Sequence, residues 1–368
     1  MKAMILAAGV GSRLDPLTAN LPKPMVPIVN RPAMEHILAL LRVHGVTEVV
    51  ANLWYRPESI TSYFGDGQSF GARLTYSKED TLLGTAGGVK RVAGFFDGTF
   101  LVIAGDALTD IDLGAMLAFH RQRGALATIA LRPVDDPRHF GVVVTGEDGR
   151  ITGFQEKPRP EEALSRLANT GIYLFEREVL DLIPAGEVYD FGKQLFPRLV
   201  AEGQPFYGYR MDGYWCDVGT LLQYRLAHQD VLHGLVRLHT PGVAVPSAER
   251  PVVLGEGAVV EPGAVLQGRV IVGPGARVSA GARLLGDVVL GAGVKVGEGA
   301  TVEASVLWAG ASLGAECRVS QAVIGQDCRI EPGAAVGEGS VLSDTCVVQA
   351  WAEVAAGSIL RPGEVVGR

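Results

Sequence analysis

The chain has 368 residues, with 33 Lys and Arg against 40 Asp and Glu (formal charge −7), 48% hydrophobic and 20% charged. At about 150 residues per domain that length suggests two domains and allows three, and the apolar share excludes wholesale disorder. The acidic balance excludes a nucleic-acid partner bound through a bulk positive field but not a local nucleotide pocket, and no apolar run approaches the ~20 residues that span a bilayer.

In chain order, residues 3–8 (AMILAA) read as a buried strand, too short for a secretion leader and followed at once by glycine and charge. Residues 33–44 carry apolar side chains at helical spacing, 48–53 read as a strand, 85–96 as a helix, 100–104 as a strand, 113–123 as a helix and 127–131 as a strand. Strand signals then dominate at 141–144, 151–155, 171–175 and 206–210, and 220–232 reads as a closing helix. Such alternation predicts α/β class: a Rossmann-like mixed or mostly parallel sheet with helices on both faces. An open sheet of that kind receives ligands outside the carboxyl ends of its strands. The expected first domain covers 1–234, and 235–251, with Pro241, Pro246 and Pro251, reads as a stiffened linker.

Residues 252–368 follow a different rule. Forty-eight glycines, about 13% of the chain against a usual ~7%, are spread unevenly. From Leu254 an aliphatic residue returns every sixth position as far as Val302. After a one-residue slip it returns at Leu307, Leu313 and Val319, and after a second slip it runs from Ile324 to Val366. A small residue commonly stands two positions earlier, as at Ala258, Ala276, Cys317 and Ser340. Hexapeptide self-similarity predicts a parallel β-helix, and the pattern resembles the hexapeptide-repeat, left-handed β-helix family. Three hexads per coil in that family imply about six coils here. Three of the four cysteines (Cys317, Cys328, Cys346) hold the small-residue position and read as packed thiols. With no CxxC pair, the cysteines point to a reduced, cytoplasmic protein rather than to a disulfide frame or zinc site.

The segments that carry chemistry lie in the first domain. Leu6-Ala7-Ala8-Gly9-Val10-Gly11-Ser12-Arg13-Leu14 follows the first strand, with Pro22-Lys23-Pro24-Met25 beyond it. Gly9 and Gly11 allow backbone N–H groups to approach an anion, Arg13 can fork onto phosphate oxygens, and Lys23 adds a point charge on a Pro-braced segment. Gly84-Thr85-Ala86-Gly87-Gly88 forms a glycine turn entering a helix, and Asp106 stands at the carboxyl end of the strand 100–104. Glu156 and Lys157 set a carboxylate beside an ammonium, Asn169-Thr170-Gly171 heads a strand, and Trp215-Cys216-Asp217 offers a second carboxylate.

The first run resembles the LAAGxGTRLxPLTxxxPKPM pattern of the sugar-nucleotidyltransferase (nucleotide-sugar pyrophosphorylase) family, with Ser12 where Thr is usual, and the other segments follow in the family's order. The resemblance covers about residues 1–230. It implies an NTP and a sugar 1-phosphate as substrates, reacting to give an NDP-sugar and pyrophosphate, with Mg2+ held by Asp106 and Asp217. It implies that Leu6, Ala8, Gly9, Gly11, Ser12, Arg13, Gly84, Thr85 and Gly88 bind the nucleotide. Arg13 would hold the departing pyrophosphate and Lys23 the α-phosphate. Lys157 would neutralise the sugar phosphate, with Glu156 and Asn169 on sugar hydroxyls and Gly171 beside them. The turn at 82–88 with an appended β-helix looks most like GDP-mannose pyrophosphorylases, so GTP and mannose 1-phosphate are the expected pair. Glucose 1-phosphate with UTP, dTTP or ATP stays open, as does a non-catalytic homologue that senses nucleotide-sugars.

Singly, each residue has an ordinary explanation. The carboxylates can cap helices, Lys157 can be a solvated cation, the glycines can only let the backbone bend, and Trp215 is more often packing or a sugar platform than a catalyst. All seven histidines precede the β-helix, which argues against an acyl-transfer site there. The β-helix reads as an assembly module through which the chain forms a homo-oligomer, or as a regulatory element, with Trp308 and Trp351 as interface candidates.

Overall fold

The structure is a computed structural model that describes residues 1–367. Contacts within the chain divide it into two compact units, Met1–Gly9 with Met34–Asp217 and Val10–Ala33 with Val218–Arg368. The stretch 235–251 lies inside the second unit.

The elements up to 232 are β1 (Lys2–Leu6), β2 (Pro27–Ile28), β3 (Arg31–Pro32), α1 (Ala33–Val43), β4 (Glu48–Leu53), α2 (Pro57–Phe64), β5 (Arg73–Lys78) and α3 (Gly84–Arg91). Then come β6 (Phe100–Ala104), β7 (Ala107–Thr109), α4 (Leu113–Gln122), β8 (Ala127–Pro133), β9 (Gly141–Thr145), β10 (Ile151–Glu156) and β11 (Leu167–Phe175). α5 (Phe196–Ala201), β12 (Phe206–Arg210), β13 (Trp215–Asp217) and α6 (Leu221–Leu232) complete the series.

The first unit is built on one mixed sheet in the order β10-β9-β11-β6-β1-β4-β5, with β8 between β11 and β12. β5, β4, β1 and β6 run parallel, and β11 is antiparallel to β6 and β8. Parallel strands covered on both faces need continuous apolar sequence, and β6 (FLVIA) and β1 (KAMIL) are buried along their centres. An aromatic core of Phe100, Tyr173, Phe175, Phe191, Phe196 and Phe206 packs against them.

Three predicted bounds shift for identifiable reasons. β1 ends at Leu6 because the Ala7 N–H is taken by the Asn52 side chain, not by a strand. β11 begins at Leu167 and is irregular between Asn169 and Tyr173, where Gly171 has φ +75°. α3 stops at Arg91 and a 3-10 turn follows at Ala93–Phe95.

The second unit holds a left-handed parallel β-helix of twenty short strands, β14 to β33, from Val252–Leu254 to Val365–Val366. They stack into three parallel sheets of seven, seven and six strands, each strand pairing with the third one after it. One coil is therefore 18 residues where Val252 faces Val270, and 17 where Val289 faces Val306 and Val306 faces Val323. Both slips fall at the same corner, one coil apart. There Ala304 and Gln321 take positive φ in positions equivalent to Gly268 and Gly286. The hexad aliphatics from Val272 to Val354 and the small residues between them line the axis at 3% exposure or less. At the first coil Leu254 is 52% exposed, because no coil lies beneath it. Cys317, Cys328 and Cys346 are buried in this column as packed thiols.

Candidate active site

The signature segment is shaped from behind. Gly11 has φ +73°, and a Cβ there would stand 2.8 Å from the Lys23 Cβ and 3.2 Å from Thr18 Cγ2. Only glycine lets the Lys23 stem pass so close, and the Thr18 hydroxyl fixes the turn by donating to the Gly11 carbonyl at 3.0 Å. Ser12–Leu14 is a 3-10 turn with Ser12 and Arg13 exposed. Pro22 caps a second 3-10 turn at Lys23–Met25, and Pro24 lies within it. At Gly9 a Cβ would meet nothing within 4 Å, so its backbone faces open space.

Other parts of the second unit hold this segment. The Tyr224 hydroxyl donates to the Pro27 carbonyl at 2.8 Å and accepts from Trp308 Nε1 at 2.8 Å. Ser343 Oγ donates to the Pro16 carbonyl at 2.7 Å, and Asn30 Nδ2 donates to the Leu290 carbonyl at 2.9 Å. Trp308, an interface candidate by sequence, is thus a buried internal donor, 5% exposed. Trp351 is 59% exposed.

Asp106 leaves the carboxyl end of β6 and precedes β7, which pairs antiparallel with β13 so that Asp217 faces Ala107. The two carboxylates, more than a hundred residues apart in sequence, therefore come to one end of one ladder, both half-buried. β1 and β6 are neighbours in register Leu6 to Ala104, and the Gly105 N–H donates to the Leu6 carbonyl at 2.9 Å. The open glycine at 9 and the carboxylate at 106 accordingly leave adjacent strand ends, on the edge where such sheets take ligands. No group of three or more His, Cys, Asp and Glu side chains gathers to hold a metal among the described residues. Two hard carboxylates match Mg2+, which takes few protein ligands and fills its shell with water and phosphate oxygens.

The glycine turn is explained by packing. Gly84 has φ +74° and a Cβ there would come 2.7 Å from the Tyr189 carbonyl; one at Gly87 would be as close to that of Glu187. One at Gly88 would meet the Glu79 carboxylate at 2.9 Å. The Thr85 hydroxyl donates to Asp190 Oδ1 at 3.1 Å and accepts from the Phe191 N–H at 2.8 Å. Its side chain is thus engaged within the protein.

Lys157 has φ +49° and its Nζ lies 3.6 Å from Glu156 Oε1, both side chains being exposed. The other Glu156 oxygen lies over Gly141 and Gly192, close enough that a Cβ at either would stand 3.0–3.1 Å from it. Asn169 accepts from the Gly171 N–H at 3.0 Å and bonds the Tyr173 hydroxyl, whose pKa burial pushes up. A Cβ on Gly171 would stand 3.0 Å from Ala104 Cβ, so β11 crosses close to the strand end that carries Asp106. Trp215 is a packing residue: Nε1 donates to the Thr170 carbonyl at 2.8 Å and the ring meets Phe140 edge-on at 5.3 Å. Sequence reading missed Asn52 and Glu79, buried beneath these loops. The signal for Asn52 was a lone carboxamide inside the apolar run EVVANL.

Residues 2–234 match the nucleotidyl transferase family and residues 250–354 the left-handed β-helix domain of EIF2B subunit epsilon. The chain belongs to the nucleotidyl transferase family and is an enzyme of that class. It is 47% identical over 260 residues to a UTP–glucose-1-phosphate uridylyltransferase of Synechocystis, covering 67% of each chain. It is 37% identical over 268 residues to a mannose-1-phosphate guanylyltransferase of Mycobacterium tuberculosis, covering 72% of this chain and 73% of that one. Among solved structures it is similar to a Bacillus anthracis protein provisionally assigned as a glucose-1-phosphate thymidylyltransferase. The TM-score is 0.57 at 28% identity, over 62% of this chain and 94% of that one.

Proposed function

We propose that the enzyme joins an NTP to a sugar 1-phosphate. A phosphate oxygen of the sugar attacks the α-phosphorus, the bond to the bridging oxygen breaks, and pyrophosphate leaves with an NDP-sugar as product. The observation that carries this reading is the register that sets Asp217 opposite Ala107, with both carboxylates at the strand edge where the open Gly9 loop emerges. Two anions must meet, so the protein's task is positioning and charge neutralisation, with no protein nucleophile. Asp106 and Asp217 would hold Mg2+, which supplies positive charge to the triphosphate. Arg13 takes the departing pyrophosphate and Lys23 the α-phosphate. Lys157 meets the sugar phosphate, Glu156 and Asn169 bind sugar hydroxyls, and Gly171 gives the sugar room. Leu6, Ala8, Gly9, Gly11 and Ser12 line the nucleotide with Gly84, Thr85 and Gly88; at Thr85 only the backbone serves.

Two substrate pairs have support. The 47% identity to a uridylyltransferase favours UTP with glucose 1-phosphate. The glycine turn with its appended β-helix and the 37% identity to a guanylyltransferase favour the sequence-based expectation, GTP with mannose 1-phosphate. Pyrophosphate release over four NTPs and both sugar phosphates separates them by kcat/KM, and no turnover with any pair would leave the nucleotide-sugar sensor. We place the protein in the cytoplasm as a homo-oligomer joined through the β-helix; among the described residues no helix is long and apolar enough to cross a membrane. Exposed Leu254, Val259 and Val265 at one end of the helix and Trp351, Ile359 and Val365 near the other favour assembly there. Light scattering on the eluting protein reads the mass, and a monomer would reject the assembly.

A further inference from the structure

Beneath the two segments read as nucleotide-binding lies a polar chain in an otherwise apolar interior. The Ala7 N–H donates to Asn52 Oδ1 at 2.9 Å, Asn52 Nδ2 donates to Glu79 Oε1 at 2.8 Å, and the Leu83 N–H donates to Glu79 Oε2 at 2.9 Å. Asn52 and Glu79 are each 3% exposed and Ala7 1%. Three strand ends and a helix start are joined in this way. Ala7 follows β1, Asn52 lies in β4, Glu79 follows β5, and Leu83 caps α3. Gly88 rests on the same pair, since a Cβ there would come 2.9 Å from Glu79 Oε1 and 3.1 Å from Asn52 Nδ2.

The order of donors and acceptors admits only one carboxamide paired with one carboxylate. Both ends are backbone N–H groups, which can only donate, so the chain needs a carboxamide next to Ala7 and a carboxylate next to Leu83, or the reverse. A carboxylate at the start of α3 is also favoured by the helix dipole. Buried as it is, a mismatch leaves two donors or two acceptors face to face, with no water to relieve them.

We propose that Asn52 and Glu79 are positioning residues for nucleotidyl transfer: their bond sets the separation of the segments 7–9 and 83–88 and thereby the fit of the nucleotide. This rests on the reading that those segments bind the NTP. Neither side chain touches substrate; they act through the backbone of Ala7 and Leu83 and through Gly88.

The test is an exchange. Asn52→Asp alone sets a carboxylate against Glu79, and Glu79→Gln alone sets an amide N–H₂ against another donor. Made together they restore the chain with its polarity moved one place. The carboxylate at 52 accepts from Ala7 and from the amide at 79, whose oxygen accepts from Leu83. The pair's net charge is also unchanged. In the full-length enzyme each single variant should raise the KM for the NTP about tenfold or more, with the KM for the sugar phosphate within about twofold. The double variant should return the NTP value to within about threefold of wild type. Single variants with a wild-type NTP KM, a parallel rise in both KM values, or a double variant as impaired as the product of the singles would each overturn the proposal. Calorimetric titration of GTP and UTP into the same four proteins gives the comparison without turnover. A wild type that binds nucleotide but turns over no pair rejects the activity alone, and one that binds neither rejects the positioning role as well.

Discussion

Tyr224→Phe should loosen the signature segment from behind and slow the reaction without touching substrate. The hydroxyl is fully buried and has two partners, the Pro27 carbonyl and Trp308 Nε1, each at 2.8 Å. Burial pushes its pKa up, so it remains a protonated donor throughout the working range. Its removal leaves the Pro27 carbonyl with His228 Nε2 at 3.2 Å, but leaves the Trp308 N–H without its acceptor. A buried donor abandoned in this way costs about 1–3 kcal/mol. At about 2–4 °C per kcal/mol for units of 150–250 residues, thermal unfolding should begin measurably earlier. Pro27 lies just beyond Lys23 in the chain, so kcat should fall as the segment gains freedom. Trp308→Phe removes the donor instead. In the double variant the two substitutions should then cost less than their sum, by about 1 kcal/mol, because the abandoned group is gone. Scanning calorimetry on the four proteins reads the cycle. An unshifted Tyr224→Phe transition, or strictly additive losses, would refute the claim that this pair bears on the segment.

Gly11→Ala places a Cβ 2.8 Å from Lys23 Cβ at φ +73°, which costs about 1–2 kcal/mol for the left-handed backbone and about 1–3 kcal/mol for the overlap. Turnover and unfolding temperature should fall together, whereas Gly9→Ala, with nothing within 4 Å, should raise the NTP KM at unchanged unfolding temperature. Asp106→Asn and Asp217→Asn should each abolish Mg2+-dependent turnover while the circular dichroism spectrum stays that of wild type, and EDTA should do the same reversibly; retained activity in either variant removes that carboxylate from the scheme. His120 is 1% exposed between Thr128 Oγ1 at 2.7 Å and Glu176 Oε1 at 3.0 Å, and burial holds its pKa below 6.5 despite the carboxylate. The unfolded chain therefore takes up its proton first as the pH falls, so the stability tied to the neutral ring is present above pH 6.5 and is lost below it. His120→Gln should flatten urea-derived stability across that acidic range, and an unchanged slope would show that another group titrates.

Periodic elements were the legible ones. β4, β6 and β12 coincide with the predicted runs, and the twenty hexad aliphatics each fall on a β-helix strand. Burial imposes those patterns directly, since a coil of 18 residues must return an aliphatic to the axis from each of three sides. β5 was not legible because it is an edge strand of alternating burial and mixed polarity, RLTYSK. α2 is a short helix that opens on a proline. β7 and β13 have three residues each, too few to show a period, and they find each other across the whole second half of the sheet. A π-turn at Phe191–Leu195 feeds α5, and no simple spacing encodes it.

The candidate site divides along the same line. Arg13, Lys23, Asp106 and Asp217 stood out because each lies in a short run that resembles the family's pattern (a glycine loop, a Pro-braced lysine and two carboxylates), and the order of those runs along the chain can be read directly. Asn52, Glu79, Tyr224 and Trp308 did not, because each matters through a partner distant in sequence, and a partner cannot be read from one residue. The glycines show how far the two kinds of information differ. Gly11, Gly84, Gly88 and Gly171 all belong to the expected ligand set. Yet each is demanded by what lies behind it: the Lys23 stem, the Tyr189 carbonyl, the Asn52–Glu79 pair and the Ala104 side chain. A side chain at any of the four would be harmful with no ligand bound. Intolerance of substitution there cannot distinguish a nucleotide cradle from a packing joint. Gly9 alone of that set has open space where its Cβ would be, so it is the position at which loss of nucleotide affinity at full stability would speak for the ligand itself.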